Sequence, residues 1–160
     1  MVSALIPISL SAASCDTLFQ AESERMGVTV NEDGVPVIVA VPCPNERVAA
    51  MELLDPESVV EGTPTTFWSV RSDQSVQGKA YMLPINNQPP AAFDLVVRLA
   101  ENPPADVTLL ADVRTLSNEG DRSGAAREFR IEDLRVGEVL ALGGELVSLD
   151  EFMTSARDGC

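Results

Sequence analysis

The residues able to do chemistry in this chain are few. They are Cys15, Cys43 and Cys160, a lone Lys79, a lone Tyr81 and 25 aspartates and glutamates, with no histidine at all. Without imidazole, the commonest general base and the commonest transition-metal ligand are both missing. Every catalytic triad that relies on it is excluded. Carboxylates remain, but adjacent ones such as Glu132 and Asp133 point to opposite faces if they lie on a strand. Asn31-Glu32-Asp33 and Asn118-Glu119-Gly120-Asp121 resemble calcium-ligand loops. Neither has the alternating pattern with a distal glutamate, and solvated turns account for both. No recognisable motif surrounds Lys79, and no glycine-rich phosphate loop joins a strand to a helix. No two cysteines have metal-ligand spacing. This inventory predicts a non-enzymatic protein with no cofactor and no metal.

The cysteines bear on compartment. From Met1 to Ala13 every residue is apolar or small, and the first charge is Asp16. That run is short of the roughly 20 residues a bilayer span needs, but it suits the apolar part of an export signal. It ends in Ala12-Ala13-Ser14-Cys15, which resembles a bacterial lipobox and makes Cys15 the candidate lipidation site. No Lys or Arg precedes the run, and Ala12 stands where such motifs usually carry Leu. The other reading is a strand from Ala4 to Leu10 packed on the domain. If Cys15 carries a lipid, Cys43 and Cys160 are left as a pair. They are then either bridged or two free thiols.

The 160 residues carry a formal charge of -14 and are 45% hydrophobic. This suits one globular domain with a real core. The charge disfavours nucleic acid and anionic lipid surfaces as partners. A solubilising surface is its plain meaning. Ten of the eleven basic residues are Arg, a composition common in high-GC genomes.

These residues must be positioned by strands. The densest apolar stretch, Val35 to Asp55, reads as two core strands, Val35–Val41 and Arg47–Leu54, joined as partners at the corner Pro42-Cys43-Pro44. Before it, Gly27–Val30 and the turn signal Asp33-Gly34 predict a hairpin. Pro36 suggests an edge or a bulge. Pro56–Pro64 reads as loop. Thr65–Arg71 is a strand, with Trp68 as a core anchor or, more sharply, a binding aromatic. Lys79–Ile85 reads as an edge strand. Phe93–Leu99 and Asp106–Thr115 alternate most clearly and read as a half-buried pair. Ala125–Ile131 and Glu138–Leu142 complete the strands. Only the end reads as helix, opened by the capping box Ser148-Leu149-Asp150-Glu151. The expected organisation is an export signal over 1–15, a tether over 16–26 and a domain over 27–160. That domain is expected to be an all-β, immunoglobulin-like β-sandwich with a short C-terminal helix.

Ala-Ala-Ser-Cys15, Val-Pro-Cys-Pro44, Phe-Arg-Ile-Glu-Asp-Leu134 and Gly-Gly-Glu-Leu-Val-Ser148 together resemble small, uncharacterised exported lipoproteins of high-GC Gram-positive bacteria. The resemblance implies a location on the outer face of the cell membrane or in the cell wall, and a Cys43–Cys160 bridge, but no activity. It favours an envelope-attached domain that binds or scaffolds a protein or another envelope component. Contact with the membrane would come only through a lipid on Cys15. A structural part of a larger assembly, such as a virion or secretion machine, is the first alternative. A carboxylate-based wall-glycan hydrolase is the second, and it requires two acids facing one cleft.

Overall fold

A computed structural model describes residues 24–160. The candidate export signal, Cys15 and most of the expected tether lie outside the described residues. Ten strands run β1 (Met26–Val30), β2 (Pro36–Ala40), β3 (Glu46–Leu54), β4 (Thr66–Arg71), β5 (Tyr81–Pro84), β6 (Asp94–Val97), β7 (Leu109–Ser117), β8 (Arg122–Phe129), β9 (Glu138–Leu140) and β10 (Leu146–Ser148). Among the described residues two α-helices accompany them, α1 (Pro56–Val60) and α2 (Leu149–Asp158). The strands form two five-stranded sheets, in the orders β10-β9-β1-β2-β5 and β6-β4-β3-β7-β8. All of these ladders are antiparallel. The protein is a β-sandwich with a short C-terminal helix, and its strand order is compatible with an immunoglobulin-like arrangement.

The sheets differ in how they are covered, and the sequence pattern follows from that. In β2, residues Val37 to Ala40 are all buried, and Val41 beyond it is buried too. Ile38 faces the interior between the sheets. Val39 and Val41 face the other way and pack with Val139, Phe152 and Ala156 of the α2 side. A strand covered on both faces reads as an unbroken apolar run rather than an alternation. The interior itself is built around Trp68, Met51, Leu53 and Val70 of the second sheet, all essentially inaccessible. Gly27 of β1 lies where a Cβ would collide with Val139 Cγ1 of β9 and crowd the Phe152 ring of α2, so glycine leaves the room that the Val139 side chain occupies.

Several expectations need correction. β2 and β3 are not partners, because the Pro42–Pro44 corner carries the chain from one sheet to the other. Pro36 opens an interior strand, paired to β1 on one side and followed by β5 on the other. As the first residue of the strand it can do without an N–H in the ladder. β6 and β7 do not pair either: β6 is an edge strand on β4, and β7 lies between β3 and β8. Alternation fixes faces, not neighbours. The loop expected at Pro56–Pro64 contains α1, capped by the Asp55 side chain, which accepts from the Glu57 amide, with Pro56 in the first turn. Cap and proline together are a helix-start signal. The strand β1 begins at Met26, one residue before the expected domain boundary.

The α2 capping box forms on its serine side, with the Glu151 amide donating to Ser148 Oγ at 3.2 Å. Just past the helix, Cys160 is disulfide-bonded to Cys43, with Cα atoms 5.5 Å apart and 117 residues between them in sequence. Among the described residues no helix is long and apolar enough to cross a membrane. Closing so long a loop contributes about 4–5 kcal/mol in the chain-entropy treatment. Cys43→Ser and Cys160→Ser should therefore each lower unfolding stability by that order, and by similar amounts, in urea titrations under oxidising conditions. Unequal losses, or none, would contradict the bridge.

Candidate binding cleft

At one end of the sandwich the β1–β2 hairpin, the segment after β5 and the β6–β7 connection surround a cleft of about 480 Å³. Its volume is in the range of small-ligand sites. Leu53, Ile85 and Ile131 supply apolar lining, while Asp33, Glu101 and Asn102 bring polar groups to it. Asp33 and Glu101 are both exposed. Among the described residues no Trp, Tyr or Phe lines it.

The cleft walls are fixed by hydrogen bonds rather than by sheet pairing. The Asn87 side chain donates to the Leu99 carbonyl at 2.9 Å and accepts from the Leu99 amide at 2.8 Å. It thus imitates a strand partner for the start of the β6–β7 connection. The far end of that connection is held where the Glu132 amide donates to the Ala105 carbonyl. Between these two anchors Ala100, Glu101, Asn102 and Pro103 curve around the opening. Asn86 is fixed from behind, since its carbonyl accepts from Trp68 Nε1 at 2.7 Å. On the hairpin side, Asn31 Oδ1 accepts from the amides of Asp33 and Val35. Gly34 has a φ of 77°, which favours glycine at that turn.

The other candidate residues are placed elsewhere. Trp68 has no exposed surface, so its ring is not available as a platform; it backs the cleft through its bond to Asn86 and as the cross-strand partner of Leu53. The Lys79 ammonium lies 5.2 Å from the Tyr81 ring centroid. The Tyr81 hydroxyl accepts from the Val76 amide, and its ring meets Phe93 edge-on. Glu132 and Asp133 are on a single 3-10 turn rather than a strand. Both carboxylates therefore reach Arg130, each at 3.0 Å. In the loop of Asn118 to Asp121, Ser117 Oγ accepts from the Glu119 and Asp121 amides, which is turn geometry. Among the described residues no three His, Cys, Asp or Glu side chains converge as a metal site.

A second pair of carboxylates shares an arginine on the sheet itself. Glu52 and Asp112 are register partners across β3 and β7. Arg114 joins them, with Nη2 2.5 Å from Glu52 and Nε 3.0 Å from Asp112. Neither the cleft described above nor the groove beside α2 includes them. Burial raises the Asp112 carboxyl above its ordinary value, and the charge and hydrogen bond of Arg114 offset this only in part.

No protein-family model matches the chain, and neither a curated protein nor a solved structure matches it significantly.

Two outcomes follow from this geometry. Asn87→Ala should cost about 1–2 kcal/mol, the net worth of two hydrogen bonds. It should also speed amide exchange at Leu99 selectively; unchanged protection at Leu99 would contradict the clasp. Asp112 binds its proton more tightly folded than unfolded. Its contribution to stability therefore falls as pH rises from the unfolded carboxylate range, about 3.9, through the raised folded value. Asp112→Asn should match the parent protein in acid and exceed its urea stability at neutral pH. A difference independent of pH would contradict the desolvation argument.

Proposed function

We propose that this chain is a non-enzymatic, exported binding domain, held at the outer face of the cell envelope through Cys15. On this reading it receives a cationic, partly apolar segment of a protein partner in the cleft beside Asn87. The observation that carries the reading is the cleft itself: an apolar lining with exposed carboxylates, held by side-chain clasps before any ligand arrives. A preorganised site spends little of its binding energy on ordering loops. Carboxylates at the edge select positive charge and speed encounter, as does the overall charge of -14. Among the described residues the lining has no aromatic ring on which a sugar could stack, which favours a peptide over a wall glycan. Glu52 and Asp112 are clamped by Arg114 outside this cleft, so the glycan-hydrolase reading gains no support from them.

Export is supported by the apolar run over 1–13, the lipobox-like approach to Cys15 and the paired Cys43 and Cys160. Disulfides persist mainly in oxidising compartments.

The test is titration of the isotope-labelled protein with an uncharged-terminus peptide of alternating Lys and Leu, followed by amide chemical shifts. Shifts should concentrate at Gly34, Asn86, Asn87 and Leu99 to Asn102. The double variant Asp33→Asn, Glu101→Gln should weaken binding about fivefold, as loss of two exposed ion pairs would. Equal binding of a Glu–Leu peptide, or shifts confined to other surfaces, would overturn the reading. So would saturable binding of a wall oligosaccharide in place of the peptide.

A further inference from the structure

The two sulfurs of the Cys43–Cys160 bridge sit in unlike surroundings. Arg25 Nη1 lies 2.7 Å from Cys43 Sγ and 2.6 Å from Glu46 Oε2. The same Glu46 oxygen accepts from the Cys43 amide at 3.1 Å. Cys43 is half-buried between Pro42 and Pro44, whereas Cys160 is exposed. Cys160 Sγ lies 3.9 Å from the Ala156 carbonyl oxygen, at the C-terminal end of α2. The Glu24 carboxylate approaches that end too, 3.9 Å from where a Cβ on Gly159 would lie. Arg157 and Asp158 in the last turn bring one charge of each sign.

These surroundings make the two thiolates unequal. A neighbouring guanidinium stabilises a thiolate, while a helix C-terminus and a carboxylate disfavour one. Glu46 shares the guanidinium and weakens the first effect without reversing it. In thiol–disulfide exchange the better-stabilised thiolate leaves faster. Access points the same way, because the attacking group must reach the sulfur opposite the leaving one.

We propose that the Cys43–Cys160 bridge is an exchange site at which a low-molecular-weight thiol becomes attached to Cys160. The incoming thiolate forms a bond to Cys160 Sγ, the Cys43–Cys160 bond breaks, and its electron pair leaves with Cys43 as a thiolate facing Arg25. The step is redox-neutral, and return attack by Cys43 expels the thiol again. Attachment unties α2 from the corner between the sheets while both sheets keep their ladders. This inference goes beyond the binding role and does not rest on it.

The experiment uses the oxidised full chain with Cys15 first alkylated. It is exposed to 2-mercaptoethanol, quenched in acid and mapped by peptide mass. The adduct should sit on Cys160 over Cys43 by about tenfold. Arg25→Met should reduce that preference toward parity and slow opening about threefold. Because Arg25→Met also removes an ion pair, Glu46→Gln serves as the second variant. It frees the guanidinium, so it should preserve the preference and lower the pH at which reduced Cys43 becomes alkylated. An adduct on Cys43, an even distribution, or a preference indifferent to Arg25 would overturn the proposal. A bridge that the monothiol opens only after unfolding would overturn it as well.

Discussion

The structure depends on one corner. At Pro42-Cys43-Pro44 the chain leaves the first sheet and within a few residues enters β3, the central strand of the second. Proline on either side of Cys43 keeps that passage extended. The Cys43 carbonyl then accepts from the Glu46 amide, which starts β3. Through its sulfur the corner also holds the end of α2, and through Glu46 it holds Arg25 just before β1. Three distant parts of the sequence are thereby tied at one point: the entry to β1, the crossover with the start of β3, and the end of the helix. Gly78 fits beneath, with its amide bonded to the Glu46 carbonyl. This end of the molecule is built for cohesion.

The opposite end is built differently, and that difference opens a cleft. There the strands finish and their connections are secured one by one, by Asn87 to Leu99, by Trp68 to Asn86 and by Glu132 to Ala105. A buried tryptophan provides the rigid backing, since its indole is packed on all sides and its N–H has a single partner to satisfy. Irregular segments held by a rigid scaffold are where binding surfaces usually lie. The division of labour between the two ends follows from where covalent and hydrogen-bonded ties were placed, not from any change in the sheets.

Much of the fold was legible because local chemistry and burial agree. Asp33-Gly34 marks the hairpin, Ser148 with Glu151 marks the helix start, and the dense apolar run Val37 to Val41 marks a core strand. Pairing was not legible: nothing local in β6 says that it borders β4 rather than β7, and a proline corner does not say which sheet comes next. α1 was missed because five residues are too few for a periodic pattern, although Asp55-Pro56 carries its start signal. The cleft was hardest of all. Asn86-Asn87 reads as a break in the chain, yet Asn87 acts as a strand partner for a backbone twelve residues away. Side-chain-to-backbone bonds of this kind leave no periodic trace; the one hint was the density of asparagine between two strands.

The corner and the helix are covalently tied, and we propose that the chain carrying them is exported. The most direct measurement is the intact mass of the protein from its native host, with and without reductant. An exported lipoprotein should give a chain beginning at Cys15, heavier by a lipid, that gains a pair of hydrogens on reduction. A full-length, unmodified chain with three free thiols would contradict it.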